Sequence, residues 1–270
     1  MRTPLSPDQP LQQDYEVRFE WAHEGLRSIA PGAGVVVLVD AVSFSTTVER
    51  AVAEGIEVQP FAGGRDEAER LAAEGAFGDA RLAGRRGDPG VSLSPSSLTA
   101  ENVAAFGATR AVVTSFNGSR LAAAAASFGV PVIAASLRNR TAVAEWILAH
   151  QHGLGRRARV AVVAAGEVRD DETVRFSVED MLTAGAVIDA LGTLGIDACS
   201  PEAAAACASY TGLSRAIRHL FTASTSGVEL REDGEGADVD LAAQVDVSRT
   251  VPVLVDGVFR VMDPVSPVYG

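Results

Sequence analysis

The chain has 270 residues, 47% of them hydrophobic and 21% charged, a balance that excludes a largely disordered protein and allows a substantial core. Its formal charge of −12 sets up a negative field that opposes association with nucleic acid or an anionic membrane, so neither is expected as a partner. All 23 basic residues are arginine, and with no lysine the chain has no Schiff-base residue, no pyridoxal phosphate anchor and no P-loop.

No apolar run reaches the roughly 18–20 residues needed to cross a bilayer. The opening stretch MRTPLSPDQPLQQDYE has no apolar segment of the signal-peptide kind, so a cytoplasmic protein is expected. Residues 1–14 are expected to be flexible, within a single α/β domain over 1–270.

In EVRFEWA the alternation of Val17, Phe19 and Trp21 predicts a half-buried strand. The unbroken run from Val35 to Val39 predicts a strand buried on both faces of a largely parallel sheet. Asp40 stands at its carboxyl end, where open α/β sheets bind ligands. Ser45, Thr46 and Thr47 then open a helix, whose free amides and positive dipole end favour a phosphate or carboxylate. Thr46 and Glu49 also have capping-box spacing, and Asp40 is equally suited to satisfying loop amides, so both readings stay open.

EVQPFA reads as a strand, DEAERLAAEG as a helix, and residues 81–97 as a long Gly/Pro/Ser-rich connection of the kind that often carries function. Three further strand and helix pairs follow: RAVVTS with SRLAAAAASFG, PVIAAS with TAVAEWILAHQHG, and RVAVVAAG with FSVEDMLTAGAVIDALGTLG. After the first, Asn117 offers an amide, Gly118 permits close backbone approach and Ser119 caps a helix. After the second, Ser136, Arg138, Asn139 and Arg140 form a dense donor set. After the third comes an acidic stretch in which residues 167–172 read as a solvated loop, and Ser177 reads as the cap of a helix carrying Glu179 and Asp180 in its first turn. Helix continues to about Val245, and in TVPVLVDGVFRVM the pair Asp256-Gly257 marks a β-hairpin.

This alternation predicts a three-layer α/β/α fold with a mostly parallel or mixed sheet and a C-terminal hairpin. Asp40, Ser115, Ser136 and Gly166 are then expected near one sheet edge. Two uncompensated carboxylates about 4 Å apart there would repel by roughly 4 kcal/mol at an effective dielectric of 20, which calls for a proton or a cation. A hard divalent ion, most simply magnesium, suits oxygen ligands better than zinc does. Gly32 and Gly34 precede their strand and make no dinucleotide-binding turn, and no GxSxG elbow or HExxH helix is present. Cys199 and Cys207 read as small core residues, and His150 and His152 as helix-end residues facing solvent or the helix terminus, not as metal ligands.

The pieces VVVLVDAVSFSTT, AGRRGD, TSFNGSR, ASLRNRTAVAE, VVAAGE and RFSVEDMLTAGAVI, in this order, with SGVELREDGEGADVDLAAQVDVSRTVPVL at the end, resemble the 2-phosphosulfolactate phosphatase family over most of the chain. The resemblance implies an unusual α/β architecture and a magnesium-dependent phosphatase. Its reaction converts 2-phospho-3-sulfolactate to 3-sulfolactate and phosphate, on a route to coenzyme M. Where the commoner pattern reads Asp-Val-Leu-Arg-Ala-Thr-Thr-Thr, this chain has Ser43 in place of the arginine, and Arg85 replaces a carboxylate in the Gly-Glu-Arg-Gly-Gly pattern. The usual Gly-Phe-Asp is here Gly90-Val91-Ser92.

The site expected on these grounds has Asp40, Ser45 and Asp180 in catalysis, and Asp40, Glu179 and Asp180 holding Mg2+. Thr46, Thr47, Arg86, Asn117, Gly118, Arg138 and Asn139 would bind the substrate, a small anionic phosphorylated acid. Direct attack by water and a phosphoenzyme on Ser45 both remain open. So do a non-catalytic phosphate-binding protein and a phosphatase for another phospho-hydroxy acid, in which Arg85 would recognise a carboxylate. A homo-oligomer is expected.

Overall fold

The computed structural model describes residues 10–169, 171 and 173–265. In chain order the elements are β1 (Val17–Trp21), α1 (Ala22–Ile29), β2 (Val35–Val39), α2 (Phe44–Ala53), β3 (Glu57–Phe61), α3 (Arg65–Ala73), β4 (Arg81–Leu82), α4 (Ala100–Phe106), β5 (Arg110–Thr114), α5 (Gly118–Ala126) and β6 (Val132–Ala135). They continue with α6 (Arg140–Leu154), β7 (Val160–Ala164), β8 (Glu167–Val168), β9 (Val174–Arg175), α7 (Val178–Thr193), α8 (Pro201–Leu213), α9 (Ile217–Ala223), α10 (Thr225–Glu232), α11 (Gly236–Ala242), β10 (Pro252–Val255) and β11 (Val258–Val261).

Nine strands form one mixed sheet in the order β1-β7-β2-β6-β10-β11-β3-β5-β4. The β2 run of five branched or large aliphatic residues is buried throughout, as its lack of alternation requires. Its side chains divide between two cores. Val36 and Leu38 pack with Leu26, Phe44, Val48 and Leu121 from α1, α2 and α5, whereas Val35, Val37 and Val39 pack with residues of α6, α7 and α8. That division is the three-layer arrangement. A third apolar cluster joins Ala41 and Val42 to Leu182, Tyr210, Phe221 and Val239, so the helices after α7 cover the carboxyl end of β2.

The C-terminal hairpin forms as expected, with Asp256 and Gly257 both at positive φ (51° and 79°), the turn that matches strand twist. Its position is not terminal in the sheet: β10 pairs with β6 and β11 with β3, joining two parallel groups. Three successive antiparallel pairings run β3 and β5 opposite to β2. Asp40, Ser136 and the segment at Gly166 therefore lie side by side after β2, β6 and β7, while the turn after β5 reaches them from the other half of the sheet.

Several local expectations change. Residues 10–14 are laid against the body, Leu11 donating to Ser28 O (2.9 Å) and Arg18 to Gln13 O (3.2 Å); residues 1–9 lie outside the described part. Residues 81–97 contain β4 and a short 3-10 turn at Pro95–Ser97. The segment expected to be a solvated acidic loop forms the β8–β9 hairpin, with Asp170 and Glu172 outside the described residues. His150 is buried, stacked on Trp146 at 5.2 Å and hydrogen-bonded to Pro264 O, because the last described residues cover the end of α6. Cys199 and Cys207 are partly buried against the core, and burial pushes both thiols up. Among the described residues no helix is long and apolar enough to cross a membrane.

Candidate active site

The turn between β2 and α2 is built by its own hydroxyls. Ser45 Oγ accepts from Asp40 N–H (2.9 Å) and donates to Leu38 O (3.3 Å). Thr46 Oγ1 donates to Ala41 O (2.5 Å) and Thr47 Oγ1 to Ser43 O (2.7 Å). All three side chains are buried, so they shape the turn and do not line an open crevice. The helix begins at Phe44 with Ser43 as its cap, and the capping box expected of Thr46 and Glu49 is absent because Glu49 faces Arg138. What this turn leaves for an anion is backbone: among the described residues nothing accepts from the amides of Val42 and Ser43.

Asp40 and Asp180 meet at this turn. Asp180, in the first turn of α7, accepts from Ala41 N–H on Oδ1 (2.7 Å) and from Gly166 N–H on Oδ2 (2.9 Å), tying the ends of β2 and β7 together. Asp40 Oδ1 accepts from Phe44 N–H at 3.3 Å. Burial drives the Asp40 carboxyl up to about 7; the charges of Glu167 and Glu179 add to the rise, and the Phe44 amide and the Arg86 guanidinium oppose it. Asp180 is pushed well above the ordinary carboxylate range, first by burial, then by Asp40 and Glu179, against the pull of its two amides. Glu179 itself is buried. Ser177 precedes α7 but makes no side-chain cap, so the first-turn carboxylates are not accounted for by helix capping.

Glu167 was assigned to solvent by its acidic neighbours, yet the structure brings it into this group. Its carboxyl is raised by burial and by Glu229 and Glu179, and eased by Asn117 and Arg175. Asn117 Nδ2 donates to Glu167 Oε1 (3.4 Å), and Asn117 Oδ1 accepts from Val168 N–H (3.4 Å). The signal in the sequence is position alone: Glu167 is the third residue after β7, an apolar strand ending beside Asp40. Gly118 lets this turn approach α2, since a Cβ there would stand 2.2 Å from Phe44 Cγ. A cleft of about 850 Å3, lined in part by Trp21, His23, Phe116, Arg120 and Val168, opens beside Asn117.

Arg86 reaches the same place from the Gly/Pro/Ser-rich connection, pairing with Asp238 through Nη1 and donating through Nη2 to Ser43 Oγ (3.0 Å) and Leu93 O (2.8 Å). Asp238, fully buried in α11, had no signal of its own in the sequence. The donor set after β6 is placed differently from expectation. Asn139 is fully buried, its amide oxygen accepting from Ser136 N–H (2.9 Å) and its nitrogen donating to Thr250 O (2.9 Å). Arg138, itself buried, donates to Glu49 Oε2 (2.6 Å) in the interior and to Gln244 at the surface. Arg85 lies on the surface against Glu69 (3.0 Å) on α3, away from Asp40's turn, because its neighbour Arg86 takes the inward direction.

Asp40, Glu167, Glu179 and Asp180 offer only oxygen donors, and among the described residues no three His, Cys, Asp or Glu side chains stand together as a finished cation cage. The arrangement concentrates like charge at a strand end, beside a helix start and one inward guanidinium, in the part of an α/β sheet where ligands bind.

The comparisons make that class specific. A family model described as 2-phosphosulpholactate phosphatase matches residues 23–257. A protein of Deinococcus radiodurans named "Probable 2-phosphosulfolactate phosphatase" is 30% identical over 226 residues, covering 83% of this chain and 88% of the relative. Proteins of the same name from Synechococcus sp. (strain CC9605) and Thermosynechococcus vestitus are 33% and 29% identical, covering 87% and 80% of this chain and 94% and 87% of the relatives. The chain belongs to the 2-phosphosulfolactate phosphatase family, a family of phosphoric monoester hydrolases.

Proposed function

We propose that this chain hydrolyses the phosphate ester of a small anionic hydroxy acid with the help of magnesium, converting 2-phospho-3-sulfolactate to 3-sulfolactate and phosphate. The observation that carries the reading, in a chain of this family, is the pair of carboxyls Asp40, partly buried, and Asp180, buried, held at one strand end against their own repulsion. Such charge is stabilised by a hard divalent cation, and Asp40, Glu179 and Asp180 are the residues that would hold it. Bound there, magnesium supplies Lewis-acid polarisation of the phosphoryl oxygens.

The chain's own groups do the rest. The Arg86 guanidinium and the amides of Val42 and Ser43 receive the phosphoryl oxygens, where charge develops as the ester breaks. Asn117 orients the acid end. Asp40 Oδ2 takes a proton from the attacking water as the new P–O bond forms, and the leaving alkoxide takes a proton from solvent as the ester P–O bond breaks. Burial of Ser45, with its hydroxyl donated to Leu38 O, favours direct attack by water over a phosphoenzyme on that residue.

The test is phosphate release from 2-phosphosulfolactate, phospholactate and phosphoglycolate, each with magnesium chloride or with EDTA. Release that needs magnesium and is fastest with the sulfonate supports the proposal. Phosphate binding with no release from any ester would make the chain a binding protein instead. Homo-oligomerisation belongs to the same reading, supported by exposed apolar side chains such as Phe176 and Val174 beside the crevice, and a monomeric mass at micromolar concentration would overturn it.

A further inference from the structure

We propose that Asp238 is a positioning residue for the reaction, holding the Arg86 guanidinium against the start of α2 so that a phosphoryl group meets a preset cation. This rests on the phosphatase reading and adds to it a residue that contributes no atom to the substrate.

Asp238 is fully buried, and its two oxygens divide the work. Oδ2 pairs with Arg86 Nη1, while Oδ1 accepts from Ser94 Oγ (2.7 Å) and from Ser96 N–H (2.9 Å). All three partners belong to the one connection between β4 and α4, so a single carboxylate from α11 fixes that loop at Arg86 and again at Ser94 and Ser96, eight and ten residues further on. The other end of the guanidinium is fixed as well, by Ser43 Oγ and Leu93 O. Ser43 is the cap residue of α2, next to the turn amides that lack internal acceptors. The planar fork is thereby set in direction as well as position, and it keeps some exposure, 22%, through which a ligand can touch it.

An arginine on a long loop would otherwise lose rotamer freedom on binding phosphate. Held by Asp238, it is ordered beforehand, which is the general route by which a fixed donor favours the transition state. The carboxylate also balances the guanidinium charge, so a buried cation is kept without drawing Asp40 into a closed ion pair.

The experiment combines Arg86→Met, Asp238→Asn and the double variant, with steady-state phosphate release and, separately, calorimetric binding of inorganic phosphate. Folding is checked by thermal melting. Arg86→Met should lower kcat by about 10²-fold or more, as for loss of one transition-state donor. Asp238→Asn should lower it by at least about tenfold and weaken phosphate binding, and should add nothing further in the Arg86→Met background. Independent, multiplying losses in the double variant would overturn the inference, as would phosphate binding unaffected by Asp238→Asn. If Asp238→Asn fails to fold, Arg86→Lys takes its place: it keeps the charge but loses the fork, so unchanged phosphate binding and turnover would overturn the inference. A wild type that binds phosphate through Arg86 and Asp238 but cleaves no ester would remove the phosphatase reading and leave the positioning role standing.

Discussion

Two neighbouring strand ends treat polar side chains in opposite ways. After β6, Asn139 divides its amide between Ser136 N–H and Thr250 O, and Arg138 is paired with Glu49 at 2.6 Å. After β2 and β7, Asp40 is partly buried and Asp180 buried, with Glu179 close enough to raise both carboxyls. Both regions looked like ligand-binding sets in the sequence, each a polar run behind an apolar strand. The difference lies in charge: the set after β6 pairs a cation with an anion, and the set after β2 and β7 is all acidic. Donors matched to acceptors fix the fold, whereas like charges held together raise the free energy of the folded chain and are retained where they act on something else.

The two regions should therefore respond to mutation with opposite signs. Asp40→Asn keeps shape and removes charge, so magnesium-dependent turnover should fall by about 10²–10³-fold or more while the fold survives. At pH 8 the same variant should melt higher than wild type. Retained turnover with unchanged magnesium dependence in a folded Asp40→Asn protein would break the comparison.

The second effect is the pH dependence of stability. Asp40 titrates near 7 in the folded chain, above its ordinary value of 3.8. Between those values the folded state binds more protons than the unfolded one, so this group's contribution is present at low pH and lost as pH rises toward 7. Between pH 5 and 8 the difference is on the order of 2–3 kcal/mol. It is read as the wild-type stability curve minus that of Asp40→Asn, in urea from pH 5 to 8. Magnesium chloride should recover part of the loss at pH 8 and little at pH 5. A flat difference curve would place the charge conflict elsewhere.

Asn139→Ala probes the satisfied side. It leaves Ser136 N–H and Thr250 O without their buried partner, a loss of about 2–3 kcal/mol. Urea midpoints should fall accordingly, while turnover per folded molecule stays within a few-fold. A large loss of turnover with little loss of stability would move Asn139 into the substrate site.

What the sequence made legible follows from what periodicity encodes. The apolar runs at β2, β6 and β7 and the Asp256-Gly257 turn report burial and local dihedral angles, and both depend on nearby residues. Placement of the β10–β11 hairpin between β6 and β3 depends on pairings more than a hundred residues apart, for which the hairpin's own residues carry no record. The site divides in the same way. Asp40 and Asp180 were readable from strand-end and helix-start positions. Whether Ser45, Thr46 and Asn139 face a ligand or the backbone is decided by side-chain direction, which residue type and spacing leave open. Asp238 was invisible because its partners lie some 140–150 residues away in the loop.

The smallest effect concerns the backbone beside the crevice. Ala22, between Trp21 and His23 where β1 passes directly into α1, has φ of 53°, and it lines the cleft next to Asn117. An alanine in the left-handed region costs about 1–2 kcal/mol through the approach of its Cβ to the following carbonyl. Glycine removes that strain but adds about 0.5–1 kcal/mol of unfolded-state entropy. Ala22→Gly should accordingly raise stability by about 0.5 kcal/mol, a shift of roughly 1–2 °C in Tm for a chain of this size, with an unchanged urea slope. If the strain merely accompanies the tight β1–α1 junction, turnover should stay at the wild-type level. A gain in stability joined to a severalfold fall in kcat would show instead that the crevice needs the strained backbone to hold the neighbouring Trp21 and His23 in place, extending the functional side of the comparison from charge conflict to backbone conformation.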